Sequence, residues 1–263
     1  MRSVYDYIPT IICFIICVYI LVSLYRTAIK EGRSLKLILF AFAVAGLLLS
    51  GLYWVAFDLL YPTERMPFAA NEIAEWALFL SLAATLATML TSSIKAAKWE
   101  IGFAILFMAA NVALWIAWSG EWLQDIITGI VFGYFLINLV RLLKETEKES
   151  LTVPVRAVIA LFCVMIVAAN AATFFVPESL TARHDLAAYI LLSIVEGYLM
   201  IRVILSLWKK SEPRVCVSLS FSLVAWSLIF MYMSAGMFYN IANICLSLSF
   251  LLSFFSLRRE VRL

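Results

Sequence analysis

The sequence predicts an all-α polytopic membrane protein, and three observations carry that prediction. Hydrophobic residues make up 65% of the 263-residue chain and charged residues 14%, with a mean hydropathy of +1.00. A soluble domain of this length has too little interior to hide so much apolar side chain. The apolar residues also fall in long runs of roughly 20, the length of a bilayer-spanning helix. They do not alternate, as the strands of a membrane barrel would. Finally, Lys and Arg gather in every second connection, which is the bias that orients helices in a membrane.

Nine runs meet this description, at about residues 8–25, 37–60, 73–94, 101–118, 126–143, 155–176, 186–208, 215–233 and 238–257. The connections between them are short, so the chain reads as one transmembrane domain over residues 1–263. With the amino terminus outside, 17 of the 20 basic residues fall inside, leaving Arg2, Arg65 and Arg183 outside. Removing or adding one span would scramble that division. The expectation is therefore nine transmembrane helices, N-terminus out and C-terminus in. The first run has no basic region before it and no small-x-small cleavage site after it, so it reads as a retained anchor.

The middle of the chain contains a repeat. "SIVEGYLMIR" from Ser193 to Arg202 aligns with "GIVFGYFLIN" from Gly129 to Asn138, and "VAANAA" at Val167 resembles "MAANVA" at Met108. Each unit is an outward helix, a short outer loop and an inward helix with a basic inner end. The predicted plan is one extra helix at about 8–25 and four helical hairpins at about 37–94, 101–143, 155–208 and 215–257. Gly129 and Gly133 form a small-xxx-small face, as do Ser193 and Gly197. Such faces let helix backbones approach closely in lipid, here expected between hairpins.

One position breaks the repeat. Glu196 stands where the sister unit has Phe132. An acidic side chain at mid-helix should face the bundle interior and find a partner. Arg202 lies about 9 Å further along the helix and about 240° around it, so it reaches the inner surface instead. Asn111, Asn170 or a hydroxyl of helix 8 or 9 are the expected partners. Glu196 reads either as an interhelical hydrogen bond or as a group that works on a solute path.

The outer segments carry nine acids (Asp6, Asp58, Glu64, Glu72, Glu75, Glu121, Asp125, Glu178 and Asp185) against three basic residues. Trp76, Trp118 and Trp122 lie at the same level. An interfacial aromatic belt accounts for the tryptophans, and helix amino termini accommodate acids without a ligand. The sharper expectation is a cup for a cationic or amphipathic ligand built from these groups, in which aromatic faces and carboxylates converge.

Other chemistries lack their residues. A single histidine, His184, leaves haem ligation, HExxH zinc chemistry and a His-based triad without support. No G-x-S-x-G, phosphate-binding or dinucleotide fingerprint occurs, and no mid-helix lysine offers a retinal Schiff base. The five cysteines lie in apolar runs and read as small core residues. No enzymatic activity, cofactor, metal or nucleic-acid partner is expected. The expected function is a multi-pass binding or sensing module of the cell membrane, or an accessory subunit of a membrane complex. Its partners would be the bilayer, a small outer ligand, and a protein at the basic inner loops. The alternative is a small-solute transporter or channel with Glu196 on the path.

Overall fold

The computed structural model describes residues 7–31, 34–61, 70–90, 98–147, 149–234 and 236–261. Of the residues singled out above, Arg2, Asp6, Glu64 and Arg65 lie outside the described set. All described secondary structure is helical: α1 (Ile8–Glu31), α2 (Leu35–Leu60), α3 (Ala70–Ala87), α4 (Lys98–Ser119), α5 (Trp122–Glu145), α6 (Val153–Ala172), α7 (Glu178–Trp208), α8 (Pro213–Tyr232) and α9 (Gly236–Val261). Eight of these are long and apolar enough to cross a membrane; α3 is the exception. The reason is local, because Asn71, Glu72 and Glu75 crowd its first two turns. The protein is therefore an all-α membrane-embedded bundle. Helix α7 starts earlier than the apolar pattern suggests, at Glu178, so His184 and Asp185 lie within a helix and not in a loop.

Contacts between neighbours run in a closed circuit α1, α2, α3, α5, α4, α6, α7, α9 and back to α1. Helix α8 sits inside the circuit, packed on α5, α7 and α9, and 89% of its apolar stretch is buried. A helix buried on every side must be acceptable on every side. The serines of α8 achieve this locally. Ser218 and Ser220 each donate to the carbonyl three residues back, and Ser222 to the one four back. No hydroxyl is then left unpaired at those positions. Phe221 of α8 packs on Phe40 of α2 and Phe135 of α5 at ring distances of 6.0 and 6.4 Å.

Two sets of side-chain contacts mark two ends of the bundle. At the acidic end, Tyr7 donates to Asp58 at 2.5 Å, Tyr189 stacks on Phe238 at 4.3 Å and Trp118 stacks on Phe174 at 6.1 Å. At the basic end, cations close the connections. Arg214 donates to the Met89 carbonyl, Arg259 donates to the Lys210 carbonyl at 2.6 Å, and Lys36 pairs with Glu260 at 2.6 Å. Arg202 donates to the Ser150 carbonyl at 2.5 Å. Carbonyls at helix ends lack intrahelical donors, so a basic side chain is the natural complement there. Arg26, Lys98, Arg141, Lys209 and Lys210 remain exposed.

The glycine faces divide. On Gly129 a Cβ would collide with the Val112 side chain of α4, and on Gly133 it would meet Met108 of α4 at 3.6 Å. That face packs inside its own hairpin, not between hairpins. Ser193 and Gly197 are exposed, and a Cβ on Gly197 meets nothing within 4 Å. The close packing expected at this second face is absent within the described residues.

Candidate functional site

The acidic end contains a polar, partly open cavity of about 80 Å³ between α1, α2, α3, α8 and α9. Its chemistry centres on Glu75. Helix α3 carries Glu75 into the bundle on the same face as Leu78, which is fully buried. Helix α2 can approach closely because Gly46 has no side chain. A Cβ there would lie 2.7 Å from the Ala74 carbonyl oxygen and 3.2 Å from the Leu78 Cα. One turn beyond Gly46, Ser50 Oγ donates to Glu75 Oε1 at 2.9 Å. From the central helix, Tyr232 Oη donates to Glu75 Oε2 at 2.5 Å. The Tyr232 ring is held by Phe79 and Trp115 at 6.3 and 5.6 Å.

The rest of the lining is mixed. Asn71 and Asn243 supply amides, Trp54 and Tyr239 supply aromatic surface at 6.5 Å from one another, and Thr10 closes the α1 side. Asn71 Oδ1 is buried with no hydrogen-bond partner. A buried acceptor of this kind costs about 1–3 kcal/mol unless something donates to it. Among the described residues, no basic side chain lines the cavity. The site thus presents one carboxyl oriented by two hydroxyls, one idle amide oxygen and aromatic walls. Such a set can accept hydrogen bonds from a small cationic donor.

The other expected ligand residues are not at this cavity. Trp76 donates from Nε1 to Thr128 of α5 at 2.9 Å, which ties α3 to α5. Asp125 accepts from Ser119 at 2.6 Å, and the Glu121 backbone N–H donates to the same Ser119 hydroxyl at 2.8 Å. These two acids organise the α4–α5 turn. Trp118 is half-exposed and Trp122 exposed at that turn. Asp185 Oδ1 lies 3.5 Å from His184 Nδ1 on α7, and Glu72 stands one turn before Glu75 without lining the cavity. Among the described acids of the rim, Glu75 is the one that lines this cavity.

Glu196 has the helix 8 partner. Ser227 Oγ donates to its Oε1 at 2.7 Å, Cys245 lies alongside, and Oε2 is buried without a hydrogen-bond partner. The side chain is buried and lines none of the described cavities. The expected amide partners are engaged elsewhere. Asn111 donates to the Phe107 carbonyl at 2.8 Å, and Asn170 to the Ile166 carbonyl at 3.0 Å and to Met233 Sδ at 3.4 Å.

Sequence reasoning missed Ser50, Tyr232 and Gly46. The Gly46-x-x-x-Ser50 spacing is itself a small-xxx-small face, so a signal for two of them was present. Tyr232 had none, because an aromatic residue at a helix end looks like part of an interfacial belt. No family model, curated protein or solved structure matches the chain.

Proposed function

We propose that this chain is a multi-pass binding or sensing module of a cell membrane, or the ligand-binding accessory subunit of a larger membrane complex. Its ligand is a small cation of the alkylammonium class, held at Glu75. The observation that carries the reading is an acidic side chain inside the bundle whose described partners are two hydroxyls and no cation. An ionisable group at that depth marks function more often than packing. Size is consistent with the ligand class. One water needs about 10–15 Å³ on the same measure, so 80 Å³ admits an ion of a few heavy atoms.

In this reading α3 spans the membrane with the other helices, and the amino terminus and the acidic end face outward. The four hairpins are repeats of one unit. The exposed cations at the basic end offer a surface for anionic lipid or for the protein that relays the signal. The alternative, a solute path through Glu196, has less support because that side chain is sealed and hydrogen-bonded.

The test is thermal unfolding of the purified protein with methylammonium and ethylammonium salts, against sodium chloride at equal ionic strength. A ligand that binds only the folded state adds about 2.7 kcal/mol at a hundred times its Kd. The melting temperature should rise with alkylammonium, and the rise should vanish in Glu75→Gln but persist in Glu196→Gln. No response in the unaltered protein, or an undiminished response in Glu75→Gln, contradicts the reading.

A further inference from the structure

A second cavity, of about 150 Å³, lies toward the basic end between α4, α5, α6, α7 and α8. Its walls are apolar and partly aromatic, with Phe103, Phe107, Leu139, Trp226 and Ile229 among them. Half-exposed Trp99 and partly exposed Ala160 lie where it meets the lipid-facing surface between α4 and α6. An apolar cavity of this volume in another protein stays dry and binds benzene. The space therefore suits one six-membered ring, and the opening lets a chain attached to that ring pass into the bilayer.

The polar lining supplies donors without surplus charge. Arg156, in the first turn of α6, lines the cavity with its side chain 9% exposed. Its Nη2 lies 3.1 Å from Glu100 Oε1 and 3.4 Å from Glu147 Oε1, so carboxylates already face the guanidinium charge. Hydrogen bonding is another matter, because Nε and Nη1 are buried with no hydrogen-bond partner. A guanidinium has five N–H donors, and leaving buried donors unsatisfied is costly. Other polar groups of the wall are engaged. Trp226 Nε1 donates to the Leu192 carbonyl at 2.9 Å, and Ser222 Oγ to the Ser218 carbonyl at 2.7 Å. Arg156 is thus the group with N–H bonds left to give.

From this arrangement we infer that the cavity binds the head of an isoprenoid quinone dissolved in the bilayer. The flat ring lies among aromatic walls, against which it packs well. A ring carbonyl accepts from Nε or Nη1 of Arg156, and the isoprenoid chain leaves between α4 and α6. A neutral acceptor of this kind satisfies the idle donors and leaves the contact with Glu100 in place. An anionic head would bring a further negative charge toward Glu100, and an ammonium head a second positive charge toward Arg156. Either adds a charge that the lining does not match, which is costly in a buried site. A plain hydrocarbon would fill the space but leave the donors idle. The site is separate from Glu75, so the two readings stand or fall independently.

The test is thermal unfolding of the full chain, purified in detergent free of quinone, with three probes built on one methylated ring. Duroquinone carries two carbonyls, durene none, and tetramethylbenzoate a carboxylate. The duroquinone ring has no open position for addition by Cys163, which also lines the cavity. Duroquinone should raise the melting temperature by at least about 2 °C, durene should raise it less, and the benzoate should not raise it. The duroquinone rise should disappear in Ala160→Phe, which fills the mouth without touching a charge, and in Arg156→Gln. Circular dichroism reports whether each variant is folded, and Ala160→Phe carries the test if Arg156→Gln is not. No rise with duroquinone, an equal rise with durene, a larger rise with the benzoate, or a duroquinone rise that survives Ala160→Phe would overturn the inference.

Discussion

Glu75 and Glu196 are both acids inside an apolar bundle, yet their surroundings differ. Glu196 accepts from a serine hydroxyl of α8 and lines none of the described cavities, the setting expected of an α7–α8 hydrogen bond. Such bonds between membrane helices average about 0.6 kcal/mol and reach about 1.7. Ser227→Ala should therefore lower stability by no more than about 2 kcal/mol, measured by unfolding in mixed micelles. Glu196→Gln should preserve both stability and ligand response, because the amide keeps an acceptor for Ser227. A Glu196→Gln protein that folds normally but loses its response would return Glu196 to the solute-path reading. At the basic end, Lys144 and Arg156 hold the Glu147 carboxyl below its ordinary range, the Lys144 hydrogen bond being the larger cause. A carboxyl with a lowered pKa stabilises the fold above its unfolded value of about 4.3 and loses that contribution as pH falls further. Glu147→Gln should accordingly lower stability slightly at neutral pH and flatten the acid limb of the stability profile below about pH 4.3, where the variant and the unaltered protein converge. A steep acid limb retained in the variant would place that sensitivity elsewhere.

Helix approach separates the glycines in the same way that cavities separate the acids. Gly46 faces backbone of α3, and backbone cannot swing aside. Gly46→Leu should cost at least about 1–3 kcal/mol, the usual range for overpacking, and should also weaken the ligand response by moving Ser50 away from Glu75. Gly129→Leu should be similarly destabilising through Val112. Gly197→Leu and Gly102→Leu face open space and should stay within about 0.5 kcal/mol. A Gly197→Leu protein as unstable as Gly129→Leu would mean that the α7 face is packed after all. These contrasts show which part of the plan was legible in the residues. Small-xxx-small spacing finds faces on which packing is permitted. It does not say which face a neighbour occupies, so "GIVFG" and "SIVEG" read alike although only the first is covered. Helix existence was legible throughout, because long apolar runs leave the backbone no other way to pair in lipid. The early start of α7 was not, since its first turns are polar and carry no apolar signal.

The whole bundle is a circuit of helices around α8, and both cavities lie against that central helix. Sequence could not reveal this. Helix α8 is less apolar than several others, and its serines hide their polarity by bonding to their own backbone. The Glu75 site was half legible for a related reason. The acid stands out in the sequence, but Ser50 and Tyr232 reach it from 25 and 157 residues away, and only the fold brings them together. Topology is open to direct checks. A reporter fused after Leu263 should read cytoplasmic, and one placed within residues 62–69 should read external. A carboxyl terminus that reads external would refute the nine-span arrangement. The central claim is a cation-selective cavity at Glu75 open to the outer face, and Asn71→Cys tests it most directly in intact cells with membrane-impermeant thiol reagents. Ethylammonium methanethiosulfonate should react at least about tenfold faster than its ethylsulfonate counterpart, as electrostatic focusing in an acidic cleft predicts, and Glu75→Gln should erase most of that preference. Equal rates for the two reagents, or reaction only after the inner face is exposed, would contradict it.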